Sequence, residues 1–88
     1  MRNLYFQRSN GQCLLIKENV ADENEALKEI SSFLKRHNYV SYYTRFWTQD
    51  NVTTFDVGSS YEFFKLAPAD SHFADKVVGT EANFVERK

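Results

Sequence analysis

The chain has 88 residues, 42% hydrophobic and 16% aromatic, with a formal net charge of −1 and a single cysteine. That length describes one small domain of modest stability, and one cysteine excludes an intramolecular disulfide framework. The near-neutral charge argues against a dedicated nucleic-acid binder, and no apolar run reaches the length of a membrane span.

The first expected strand is Asn3 to Gln7. Asn3-Leu-Tyr-Phe-Gln7 resembles the recognition sequence of a viral protease, but Arg2 and Arg8 do not suit its flanks. The segment is therefore read as part of the fold. Ser9-Asn10-Gly11 supplies a turn, because Asn-Gly is a strong hairpin signal. Gln12 to Lys17 is the second strand. A two-residue loop here pairs Phe6 with Leu15 and Tyr5 with Ile16. Cys13 opens the apolar run to Ile16 and reads as a small buried residue.

A helix is expected from Asp22 to His37. Asp22 is the N-cap, and Glu25 three residues later completes a capping-box-like pattern. Ala26, Leu27, Ile30, Phe33 and Leu34 recur at spacings of three and four, which makes one apolar stripe to lay on a sheet. Lys35, Arg36 and His37 gather at the negative end of the helix dipole, and Asn38 suits a left-handed terminator.

Tyr39 to Gly58 reads as a second hairpin with Asp50-Asn51 as its two-residue turn. That register sets Phe46 opposite Phe55, Thr44 opposite Val57 and Thr48 opposite Thr53 on a core face. The other face carries Trp47 opposite Thr54, Arg45 opposite Asp56 and Tyr43 opposite Gly58. A cross-strand Arg45–Asp56 ion pair follows. Gly58-Ser59-Ser60 marks a turn or bulge, with the serines bonding nearby backbone. Tyr61 to Leu66 is a fifth strand, in which Phe63 and Phe64 point to opposite faces. Ala67-Pro68-Ala69-Asp70 ends the sheet. A short helix capped by Asp70 or Ser71 then runs through Phe73, Val77 and Val78 and stops at Gly79. The final residues are charged and expected to be mobile.

The expected architecture is α+β and two-layer. A β-β-α-β-β-β antiparallel sheet carries one helix on one face. Residues 1–67 form the domain, and 68–88 form a C-terminal extension, a short helix or mobile tail. Tyr43, Trp47 and one phenylalanine then load the second face with more apolar area than a monomer leaves in water. Either the Phe73–Val78 tail or a partner covers it.

No catalytic, metal or cofactor site is expected. His37 and His72 are not placed near Cys13, and no metal-ligand spacing occurs. Asp56 with Ser59 or Ser60 lacks a histidine or lysine to activate a serine. The candidate binding residues are Tyr43, Arg45, Trp47 and Asp56. Trp, Tyr and Arg are the residue types enriched at binding hot spots.

The segments Tyr42-Tyr-Thr-Arg-Phe-Trp-Thr48 and Phe55-Asp-Val-Gly-Ser-Ser-Tyr-Glu-Phe-Phe64 resemble small uncharacterised proteins of phages and prophages of Gram-positive bacteria. Ser60 and Tyr61 stand where that group has a His-Thr pair. The resemblance spans roughly residues 12 to 66 and implies an origin on a mobile element, with no mechanism attached. A small phage-type domain without chemistry is expected to occupy the surface of a host protein, and the single cysteine with no signal-peptide pattern makes the host cytoplasm the expected compartment. A counter-defence, anti-CRISPR-like inhibitor is one such role. Two alternatives stand beside it. One is a nucleic-acid or nucleotide binder that stacks bases on the same aromatics. The other is a homo-oligomer joined through the aromatic face.

Overall fold

A computed structural model describes residues 2–39, 41, 43–58 and 61–84. Along the chain these form β1 (Arg2–Gln7), β2 (Cys13–Val20), α1 (Glu23–Arg36), β3 (Arg45–Gln49), β4 (Val52–Asp56), β5 (Phe63–Pro68), α2 (His72–Asp75) and β6 (Val77–Thr80), followed by a 3-10 turn at Glu81–Asn83. The six strands make one sheet in the order β3-β4-β5-β1-β2-β6. The expected bonding by Ser59 and Ser60, the Tyr42 end of the phage-like motif and the mobility of residues 85–88 all fall outside the described residues.

The α+β class holds, with α1 on one face. The sheet is mixed, however, because β6 runs parallel to β2. The expected helix through Val77 and Val78 ends at Asp75. β-branched valines favour strand over helix. The free edge of β2 also offers them a ladder, which starts where Cys13 donates its N–H to the Lys76 carbonyl at 2.9 Å. The chain leaves β5, crosses the sheet through α2 and returns beside β2, and such a crossover gives a parallel strand. Gly79 in β6 leaves room for the Asn83 side chain. A Cβ there would lie 2.6 Å from Cγ and 3.0 Å from Cβ of Asn83.

Next to its turn the first hairpin is one residue out of the expected register, and an irregularity between Leu4 and Tyr5 restores the expected Leu4–Lys17 pair beyond it. Phe6 pairs with Leu14 and Tyr5 with Leu15. Gly11 donates to the Arg8 carbonyl at 2.9 Å and Arg8 to the Gln12 carbonyl at 2.8 Å, which makes a three-residue loop. Gly11 has φ +87, the left-handed bulge position of such loops. β1 then lies near the middle of the sheet, so the Asn3–Gln7 segment belongs to the fold.

The helix is as its caps dictate. The Glu25 N–H bonds Asp22 Oδ1 at 2.9 Å, and Glu25 Oε1 accepts the Ala21 N–H at 2.9 Å. At the other end Asn38 has φ 50, and the Tyr39 N–H reaches back to the Leu34 carbonyl at 2.9 Å. That is a Schellman closure with asparagine in glycine's place. Ala26, Ile30 and Phe33 are fully buried, while Leu27 and Leu34 pack at the margin.

The core under α1 is a row of rings. Phe55 pairs with Phe64, and Phe64 with Phe6. Phe33 of the helix sits 5.3 Å from Phe64 and 5.8 Å from Phe6, centroid to centroid. Phe84 closes the edge at 4.9 Å from Phe33. A second, smaller cluster on the opposite face joins Tyr5, Cys13, Ala67 and Phe73. The segment after β5 therefore touches both layers, with Phe73 on one face and Phe84 on the other. At the start of α1, Thr53 is buried with its hydroxyl satisfied. It donates to Glu23 Oε2 at 2.9 Å and shares 2.8 Å with Thr48 Oγ1, while Arg2 reaches both Thr53 and Glu23.

Candidate functional site

The second hairpin fixes the candidate surface. Asp50 and Asn51 have φ 53 and 63, the two left-handed residues of a type I′ turn. Arg45 accordingly faces Asp56, Phe46 faces Phe55, and Trp47 faces Thr54, as the turn predicts. The ladder stops at Arg45 and Asp56, so Thr44–Val57 and Tyr43–Gly58 are not strand pairs. Asp56 supplies the reason. Its Oδ1 accepts the Gly58 N–H at 2.9 Å and bends the chain, with Gly58 at φ 86. The Val57 carbonyl takes a hydrogen bond from Ser41 Oγ instead, at 3.1 Å.

Phe46 is not the core residue its pairing suggests. It is 47% exposed although its ring lies 5.4 Å from that of buried Phe55. Every residue of β3 is exposed, because β3 is the outermost strand and overhangs the helix layer.

On the face opposite α1, Tyr43 is 50% and Trp47 46% exposed. Arg45 lies between them in sequence. Its Nη2 and Nε reach Asp56 Oδ2 at 3.0 and 3.2 Å, and its guanidinium lies 5.4 Å from the Tyr43 ring centroid. Asp56 is buried, and both of its oxygens are engaged. It therefore orients Arg45, while Tyr43, Arg45 and Trp47 form the outward surface.

Phe73 of α2 answers the question of the tail. It covers Tyr5, at 6.3 Å between centroids, and leaves the Tyr43–Trp47 side open. Between the two lies an open groove of about 420 Å³ lined by Trp47, Asp50, Thr54, Lys65, His72 and Phe73. Lys65 was not singled out from the sequence. Its alternation within β5 places it on this face, and that signal was available. Nζ donates to Thr54 Oγ1 at 2.8 Å and lies 5.6 and 5.8 Å from the Phe63 and Phe73 ring centroids. Burial pushes this ammonium below the ordinary lysine range. Among the described residues no carboxylate forms an ion pair with it. Of the two phenylalanines, one of which was expected beside Tyr43 and Trp47, Phe63 is the one on their face, and its ring lies under Lys65.

The remaining polar side chains serve the fold. His37 and Arg36 both bind Glu81. Cys13 is buried, and burial raises its thiol above the ordinary range against the pull of Lys76 and Lys65. Among the described residues no group of three His, Cys, Asp or Glu side chains is placed to hold a metal. Among the described residues no helix is long and apolar enough to cross a membrane. Comparison with protein-family models, curated proteins and solved structures finds no match.

Proposed function

We propose that the chain is a non-enzymatic accessory protein of phage type that binds a host protein through Tyr43, Arg45 and Trp47. The observation that carries this reading is Trp47, the only tryptophan in the chain, left 46% exposed on a sheet face whose other half is sealed by Phe73. A large aromatic at the margin of an apolar cluster, beside a positioned arginine, has the composition of a binding hot spot. The host cytoplasm is the compartment this role needs, and counter-defence inhibition is its most specific form. The test is capture of partners from a bacterial lysate, followed by affinity measurement with variants. Trp47→Ala is expected to weaken binding by more than about 1–2 kcal/mol with the fold intact. Binding that survives Trp47→Ala and Tyr43→Ala but fails with Lys35→Glu/Arg36→Glu moves the site to the end of α1.

A second reading is favoured by Lys65. A cation with no carboxylate partner among the described residues, in a groove walled by Trp47, suits a nucleotide whose base stacks while its phosphate meets the ammonium. Binding that falls steeply with salt supports it over a protein partner.

A further inference from the structure

The two edges of the sheet differ in how they are protected. β6 has four residues, one of them Gly79, and the 3-10 turn folds back on it, with Asn83 Oδ1 accepting the Thr80 N–H at 3.0 Å. Among the described residues β3 has no such cover. It contains no proline or bulge, and its one charged residue, Arg45, is paired with Asp56 of its own sheet, so the usual devices against edge pairing are few. Large apolar rings stand exposed on both sides of it, Phe46 on the α1 side and Trp47 on the other.

The turn also dictates which backbone groups are free. In a two-residue hairpin the residues flanking the turn, Gln49 and Val52, form a hydrogen-bonded pair. Pairs alternate, so Trp47–Thr54 and Arg45–Asp56 are hydrogen-bonded as well. The amide and carbonyl groups of Phe46 and Thr48 therefore point away from β4 into the open edge.

We infer that β3 pairs antiparallel with β3 of a second copy of this chain, around a two-fold axis at Phe46. A symmetric pair needs outward-facing groups opposite outward-facing groups, and this register provides them. Phe46 of one copy faces Phe46 of the other. Arg45 of each faces Trp47 of its partner, which sets a cation over an indole and keeps the two arginines apart. Thr48 faces Thr44. Centring the pair on Trp47 instead sets each Phe46 against a threonine and gives Arg45 only Gln49. The inference goes beyond the proposed function, since it is carried by the open backbone edge and by Phe46, which partner binding does not use, although its Arg45–Trp47 contact falls on the binding face. In the paired state two Tyr43–Arg45–Trp47 surfaces lie side by side on one continuous sheet.

The test is solution mass by analytical ultracentrifugation over a range of concentrations, with the full chain. The wild type is expected to approach twice 10.3 kDa. Phe46→Lys is expected to remain monomeric, because it sets two ammonium groups across the axis. An independent readout is crosslinking on mild oxidation. In a hydrogen-bonded pair the two Cα atoms at position 46 are about 5.5 Å apart, within disulfide reach. Phe46→Cys should thus crosslink, whereas Thr48→Cys, four residues from its own copy and so roughly 13 Å away, should not. A wild type that stays monomeric throughout overturns the inference. So does a dimer that survives Phe46→Lys, or one lost with Val78→Lys on the β6 edge.

Discussion

Arg36 and Glu81 form a bidentate pair, with Nε donating to Oε2 at 2.8 Å and Nη2 to Oε1 at 2.9 Å. The pair joins the last turn of α1 to the 3-10 turn after β6, 45 residues apart. Next to it, His37 Nε2 lies 2.8 Å from the same Oε2. The clasp holds the end of the described chain beside Phe33, where Phe84 seals the ring cluster.

The clasp makes stability depend on pH. The Arg36 hydrogen bonds, ahead of those of His37, hold the Glu81 carboxyl below its ordinary value of 4.5. A carboxyl depressed in the folded state contributes stability above its unfolded pKa and loses it as the pH falls through the folded one. Glu81→Gln is therefore expected to destabilise by roughly 0.5–1 kcal/mol at neutral pH, since both partners are partly exposed. Urea melts should show that difference vanishing in acid. A gap that persists in acid assigns the effect to packing instead of charge.

The helix stripe is graded. Phe33 has no exposed surface and touches three other phenylalanine rings, so Phe33→Ala should cost about 3–5 kcal/mol. Leu27 sits at the margin of the same cluster, and Leu27→Ala should cost less than half of that. Equal losses in chemical denaturation would place Leu27 in the core after all.

Gly79 and Asn83 should behave as a coupled pair. Gly79→Ala brings a methyl against the Asn83 side chain and forces it off the Thr80 N–H, a loss of about 1 kcal/mol or more. In an Asn83→Ala background the obstacle is already gone, so the same change should cost measurably less. Strict additivity in the double-mutant cycle would rule out the contact as the reason for glycine.

Much of this was readable along the chain. Asp22, Glu25 and Asn38 mark the helix because caps act through their immediate neighbours. Asp50-Asn51 fixes the β3–β4 register for the same reason, and with it the Arg45–Asp56 pair. The errors lie where distant chain decides. Whether Gly11 closes a two- or three-residue loop is a choice between near-equal turns, and it moved the three pairs nearest the turn by one, until the irregularity between Leu4 and Tyr5 restores Leu4 to Lys17. Val77 and Val78 follow a helical start, but the open edge of β2, more than 60 residues earlier in sequence, recruits them as strand (compare Cys13 opposite Val77). Phe46 has a core residue's pairing without a core residue's burial, because only the strand order reveals that β3 is an edge. Lys65 escaped notice since a lone lysine in a strand looks solvated until Phe63, Phe73 and Thr54 gather around it.

Lys65 offers the sharpest separation of fold from function. Burial lowers its folded pKa, with the Cys13 charge acting weakly in the other direction. A lysine depressed in the folded state opposes folding while it is charged, and the penalty fades as the pH rises through the folded pKa towards the unfolded one. Lys65→Met keeps the stem over the Phe63 and Phe73 rings and removes the charge, at the cost of the hydrogen bond to Thr54. Its thermal midpoint at neutral pH should therefore match or exceed that of the wild type, and its gain in stability between neutral and alkaline pH should be the smaller of the two. If the groove belongs to the binding surface, the same variant should weaken partner binding and flatten its salt dependence, since the lost group is a cation. A Lys65→Met variant that binds as well as the wild type confines the site to Tyr43, Arg45 and Trp47. One that melts well below the wild type shows that the Thr54 hydrogen bond outweighs the buried charge, and the lysine is then part of the scaffold.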